Sequence, residues 1–305
     1  MLSDILNKVS CGASGLLGNG GKFCPIDIDT PKLIILSEKG LKVAPGDTFD
    51  LAYIQTKQQE GKMHVFKGVV NFTDNTPENE LGTYDATGEK YLTMKAPYEL
   101  TFMFDRGLYS YKALVKYESN GQHDIWIFDV KNDLFMAKDQ LGNGRGLNAG
   151  LVTIGKYGIG KENSQSMTVQ INRADFDNNV AWISNEELDF TAEQDLDGWN
   201  DVEITMTAPA NLATTVAFTV KAVSNNKLVP LEGLLVGDLL YQVDGVTVVP
   251  SALTAGTNPG EYTITVAALA TAEVLTLRLY DTATKLIVNL DGVLYKSNIA
   301  TTTVL

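Results

Sequence analysis

The chain has 305 residues, 44% of them apolar and 20% charged, and a formal net charge of −13; it is long enough to bury two cores and too apolar for a disordered chain. So acidic a surface gains nothing from counterion release, which excludes tight nucleic-acid binding, and no apolar run reaches the roughly eighteen residues of a membrane-spanning helix. Asp4 stands in MLSDILNKVS where an export signal carries positive charge, so export by that route is not expected.

In chain order, residues 3–9 predict one or two helical turns, with Leu2, Ile5, Leu6 and Val9 on one face. Cys11 and Cys24 flank a glycine-rich loop. Two cysteines do not make a disulfide framework, so reduced thiols in or near a packed loop are expected, with a single disulfide as the alternative. KLIIL at 32–36 reads as a buried strand. Residues 47–59 follow Pro45-Gly46 and predict a short helix with Asp47 as its N-cap.

From Met63 the strand signal dominates. In MHVFKGVVNF, His64, Phe66, Gly68, Val70 and Phe72 share one face at period two, as do Tyr98, Leu100, Phe102 and Phe104 in YELTFMF. YSYKALVKYE is read as a further strand, with Tyr109, Tyr111, Ala113, Val115 and Tyr117 on one side; DIWIFDV and SMTVQI add two more. The glycines at 142, 144, 146, 150, 155, 158 and 160 predict a long adaptable loop or an extended hairpin arm.

At Pro209 the composition changes. Residues 174–203 carry ten acids and no Lys or Arg, whereas the 96 residues after Pro209 contain no Trp, Cys, His or Met. VEITMT leads into AFTVKAV, LLYQV, VTVV, EYTITVA, VLTLRLY, KLIVNL and VLYKS, separated by turns at Ser224-Asn225-Asn226, Asp244-Gly245, Asn258-Pro259-Gly260 and Asp291-Gly292. Short strands with turns every eight to twelve residues or so are the pattern of an immunoglobulin-like sandwich. The expected fold is therefore mainly β. An N-terminal antiparallel sandwich or partial barrel with one or two short helices occupies 1–207, and an Ig-like sandwich occupies 208–305. The latter has seven acids against five bases, which leaves about −11 of the charge on the first 207 residues.

No catalytic constellation stands out. Gly155 to Lys161 has P-loop spacing, but Glu162 replaces the Ser or Thr that reaches magnesium, and a strand pattern follows where a helix should begin. Asp175, Asp177, Asn179 and Glu186 match calcium-loop positions one, three, five and twelve, yet Val180 sits where that loop needs glycine, so a solvated acidic loop is expected and occasional cation binding is left open. The acids around Asp195, Asp197 and Asp201 read the same way. His64 and His123 lie in ordinary strand and turn contexts, and no Gly-x-Ser-x-Gly elbow exists. Tyr98, Tyr109, Tyr111, Tyr117 and Trp126 fit a core or subunit interface better than a stacking platform. No enzyme activity, cofactor or metal site is expected.

An acidic β-rich module, a glycine-rich arm and a C-terminal Ig-like domain, in this order, resemble virion structural proteins of tailed bacteriophages, above all major tail tube proteins with an appended Ig-like domain. GVVNFTDNTPENELGTYDATGEKYLTMKAPYELTFMF and HDIWIFDVKNDLF look like such proteins. The resemblance implies a β-sandwich or partial barrel that assembles into hexameric rings, with long hairpins and loops joining ring to ring. It implies a lumen through which DNA passes without adhering, partnership with itself and with other phage structural proteins, no membrane, and a place in the virion after assembly in the host cytoplasm. The alternatives are a capsid or head-decorating subunit and a glycan-binding surface adhesin.

Overall fold

The computed structural model describes residues 1–2, 29–85, 87–105, 108–157, 164–224, 227–281 and 286–305. Readings that fall on residues 3–9, on Cys11 and Cys24, and on Gly158 to Lys161 lie outside them. The protein is mainly β, half of it in strands, with few short helices. It divides into two compact units, one of Met1–Gln55 with Lys62–Leu196 and the other of Thr56–Gly61 with Asp197–Leu305. The division falls ahead of the compositional change at Pro209, because residues 200–206 pair with strands of the second unit. Asp197, Asp201 and Glu203, with the offsetting Lys57 and Glu60, thereby join unit 2. The net charge of −13 splits into −8 on unit 1 and −5 on unit 2.

Unit 1 contains strands β1 (Pro31–Glu38), β2 (Lys42–Val43), β3 (Met63–Lys67), β4 (Val69–Asp74), β5 (Glu80–Thr83), β6 (Lys90–Met94), β7 (Tyr98–Asp105), β8 (Ser119–Asp129), β9 (Leu134–Lys138), β10 (Gly144–Arg145), β11 (Leu147–Ile154), β12 (Ser164–Ile171) and β13 (Val180–Ile183). Its helices are α1 (Leu51–Gln59), whose last turn falls in unit 2, α2 (Leu108–Val115), α3 (Arg173–Asn179) and α4 (Ala192–Asp195). Antiparallel pairing runs β3-β1-β8-β11-β12-β7-β4. Strands β3 and β4 follow each other across Gly68 (φ +77°). They act as one bent strand and close a six-stranded barrel.

The apolar sequence of KLIIL has its explanation here. Ile34 and Leu36 point into the barrel with Phe102, Phe104, Ile125, Ile127, Met167 and Val169. Leu33 and Ile35 point outward into a second core with Trp126, Phe128, Met136, Ile54 and Phe49. Strands covered on both faces lose the alternation that marks a half-exposed strand.

Four expectations are corrected. The Met63–Phe72 stretch is not one regular strand: Gly68 breaks it, and Met63 and Val65 are buried in the outer core while Phe66 packs against the barrel interior. YSYKALVKYE is not a strand. Residues 108–115 form α2, since Leu, Lys and Ala favour helix and Tyr111 and Leu114 sit three apart, a spacing that short apolar runs share with strands. Asp47 closes a turn with Ala44; the helix cap is Asp50, whose Oδ1 accepts the Tyr53 N–H at 2.7 Å. The described part of 142–160 is not an arm but includes β10 and β11 of the sheet. A Cβ on Gly146 would lie 2.8 Å from Asp124 Cβ and 2.9 Å from the Ile125 nitrogen, so this glycine permits close packing rather than freedom.

Unit 2 holds β14 (Asn200–Met206), β15 (Thr215–Ser224), β16 (Lys227–Pro230), β17 (Leu239–Val243), β18 (Val246–Thr247), β19 (Ala252–Ala255), β20 (Glu261–Thr265), β21 (Val274–Leu279), β22 (Val288–Leu290), β23 (Val293–Ser297) and β24 (Ala300–Thr303). One sheet has β19-β20-β15-β14 and the other β18-β17-β21-β24, the strand partition of an Ig-like sandwich. The β22–β23 hairpin adds to the first sheet by parallel pairing with β14. Asp244-Gly245 and Asp291-Gly292 both have positive φ, at +49° and +79° and at +51° and +85°, as tight hairpin turns require. Tyr241 takes the strand position where antibody domains bury Trp and is wholly buried among Phe218, Leu275 and Leu277 in a single core.

Candidate functional site

Between β4 and β7 the chain leaves the barrel as a β-hairpin of residues 80–94. β5 and β6 pair only with each other among the described strands. At its foot the Asn75 N–H donates to the Glu99 carbonyl, Asn75 Nδ2 donates to Thr101 Oγ1, the Glu99 N–H donates to Thr76 Oγ1, and the Ala96 N–H donates to Asn79 Oδ1. These bonds fix the departure of both strands. At the tip the Gly88 N–H, with φ +71°, donates to the Tyr84 carbonyl and the Tyr84 N–H to the Glu89 carbonyl.

The arm is apolar where it should be polar. Leu81 opposes Leu92, and Tyr91 opposes Gly82 and packs at a tilt on Tyr84 with ring centroids 4.5 Å apart. Leu81, Tyr84, Leu92 and Met94 are 57%, 55%, 48% and 50% exposed, and Tyr91 is 41% exposed. A two-stranded hairpin is marginal in water by itself. Two edges unpaired among the described residues, with apolar side chains exposed along both strands, are the features that elsewhere mark interaction surfaces.

Beside the foot lies a second feature. Asp177 on α3 accepts hydrogen bonds from Tyr98 Oη to Oδ1 at 3.1 Å and from Arg173 Nε to Oδ2 at 3.1 Å, and Lys95 Nζ approaches Oδ2 at 3.5 Å. The Arg173 guanidinium sits 4.5 Å over the Tyr98 ring, which also packs on Phe176 at 4.5 Å. Partial burial and the neighbouring Asp177 push the Tyr98 hydroxyl above its ordinary range. Desolvation opposes ionisation of Asp177, but the bonds from Arg173 and Tyr98 outweigh it and hold the carboxyl below the usual range. Lys95, Pro97, Asn172, Arg173, Asp177 and Asn178 line a groove of about 400 Å³ here.

The calcium-loop positions do not converge. Asp175 on α3 forms a bidentate pair with Arg145, its Oδ2 also accepts the Asn148 N–H at 2.8 Å, and Asn179 Nδ2 donates to its Oδ1 at 2.9 Å. Burial opposes ionisation of Asp175, yet these donors keep its carboxyl below the ordinary range. Asp177 faces the groove, and Glu186 is exposed in a short turn after Ser184. Asp195 caps the start of α4 by accepting the Thr191 N–H. Among the described residues no group of three or more His, Cys, Asp or Glu is arranged to hold a metal ion.

His64 and His123 come together, with ring centroids 6.5 Å apart, and Tyr117 packs beside both, its Oη 3.3 Å from His64 Nδ1. Trp126 is fully buried, donating to Ser37 Oγ at 3.0 Å, Tyr98 packs on α3 and Tyr111 packs on Tyr157, so these described side chains form no common platform, while the Tyr109 side chain lies outside the description. Glycine content alone would place this arm at 142–160 instead. Pro77 and Pro97 bracket it, and Asp85 to Gly88 supplies its turn; these were the available signals. Comparison of the sequence with protein-family models and with curated proteins finds no match.

Proposed function

We propose that this chain is a self-assembling structural subunit of a tailed-phage virion, a tail tube protein whose copies stack as rings around a DNA-conducting lumen, with unit 2 as an accessory Ig-like domain. The observation that carries the reading is the arm of residues 80–94, which exposes Leu81, Tyr84, Tyr91, Leu92 and Met94 and whose strands pair only with each other among the described residues. Exposed apolar surface concentrated on a projecting hairpin is the form in which one subunit engages the next. The net charge of −8 on unit 1 supports a wall that repels phosphate and lets DNA slide. The closed barrel supports it too, since a wall element needs rigidity that does not depend on its neighbours.

Electron microscopy of the purified protein tests this. Stacked rings with a central hole are the expected result. Icosahedral shells or flat lattices would move the protein to the capsid or head-decorating class, and persistent monomers at high concentration would end the self-assembly reading. Replacing residues 77–97 by a short turn is expected to leave folded monomers that no longer polymerise.

A further inference from the structure

We propose that the groove at the foot of the arm is the seat for the arm tip of a second copy of this chain. This rests on the self-assembly reading and names the receiving surface, which that reading leaves open. The groove, about 400 Å³, is large enough for a few side chains. Lys95 and Arg173 bring two cations to it against one acid, Asp177, which already accepts from Arg173 and Tyr98 and faces Lys95. Arg173 commits its Nε to Asp177, and the rest of its guanidinium fork carries further N–H donors. In a chain of net charge −13 this is a cationic island, complementary to an acidic partner.

The arm tip has that chemistry. Asp85 and Glu89 flank the turn with Lys90 as the one base beside them, Glu80 opens the strand leading to it, and Tyr84 presents a half-exposed ring. Tyr84 suits the apolar wall of Pro97 and Ala174, with Asp85 directed at Arg173 and Lys95. The tip cannot be the chain's own. Lys95 stands seven steps of extended chain from Gly88, roughly 23 Å at strand rise, and a paired ribbon does not fold back on its foot. Its five apolar side chains expose on the order of 500 Å² where a stable interface takes roughly 800 Å² per partner. One arm laid on a second copy, with its tip in the groove, therefore supplies most of one side of an interface.

Photo-crosslinking of the full chain tests the seat. With Tyr84 replaced by p-benzoylphenylalanine, and isotopically light and heavy chains mixed, irradiation is expected to join light to heavy chains at residues 95–97 or 172–178. Light–heavy cross-links mapping elsewhere overturn the groove and leave self-assembly standing; no light–heavy cross-link overturns both. Charge exchange gives a second measurement. Lys95→Glu is expected to raise the concentration needed for assembly about tenfold, and Asp85→Lys in the same chain to restore it. No effect of Lys95→Glu, or no restoration by Asp85→Lys, overturns the seat, because a merely structural loss at Lys95 would not be repaired from the tip.

Discussion

Tyr91 lies over Gly82 on the facing strand of the arm, in the space a side chain at position 82 would need. The aromatic ring covers a glycine that would otherwise leave backbone open in a two-stranded ribbon. Gly82→Val drives a branched side chain into that ring. The expected outcome is loss of polymerisation by sedimentation with the melting temperature within about 2 °C of the parent, because surface changes away from the core cost less than about 0.5 kcal/mol. A melting temperature that falls sharply would instead place the arm inside the fold's cooperative unit.

Tyr241 carries the opposite lesson in unit 2. Its hydroxyl is buried with no hydrogen-bond partner among the described residues, and burial pushes its pKa up to about 12. Tyr241→Phe removes an unsatisfied polar atom and keeps the ring, so it is expected to stabilise unit 2 by about 1 kcal/mol. Urea unfolding of the two proteins gives the sign, and a less stable Phe variant would mean that the hydroxyl has a partner after all.

Arg145 and Asp175 form the most buried ion pair among the described residues, fastening α3 to the β10–β11 corner. Arg145→Ala leaves a carboxylate stranded and is expected to cost about 3 kcal/mol, whereas Arg145→Met with Asp175→Leu should recover most of that loss. Denaturant midpoints of both variants decide it. Asp175 titrates below its unfolded value, so its contribution is complete above the unfolded carboxylate pKa and disappears as the pH falls through the lower folded one.

His123 makes stability fall on mild acidification. Burial lowers its pKa from 6.5, against a smaller upward pull from the Ser37 backbone and Glu38. Below pH 6.5 the unfolded chain takes up a proton that the folded one resists, so the contribution present above that pH is lost as the pH drops toward the folded value. His123→Asn is expected to flatten this limb in urea titrations run at successive pH values. A parent and variant with parallel profiles would assign the acid sensitivity to other groups.

Much of the fold is legible in local pattern. Asp244-Gly245 and Asp291-Gly292 mark their hairpins because few residue pairs hold two consecutive positive φ angles cheaply. KLIIL reads as buried because an unbroken β-branched and leucine run needs cover on both faces. The arm was harder. Leu81, Tyr91 and Leu92 have the same alternation whether a core or a neighbouring molecule lies opposite, and only tertiary pairing tells the two apart. Glycine misled for a related reason: Gly146 serves close packing against Asp124 and Ile125, while chain freedom was inferred from its residue type alone. The groove at the foot joins Lys95 to Arg173 and Asp177 across a gap in sequence that no spacing rule spans.

The bend at Gly68 also limits how copies can join. By folding β3 and β4 into one closing strand it links β1 to β7 around the barrel, so the pairing runs in a ring and the sheet's short outer strands are β2 and β13. Under the proposed self-assembly, each chain would add to others chiefly through a single projecting ribbon rather than through a rim open to any strand. Growth of this kind has low valence and a direction, which favours ordered filaments over tangled aggregates at the protein concentrations of assembly.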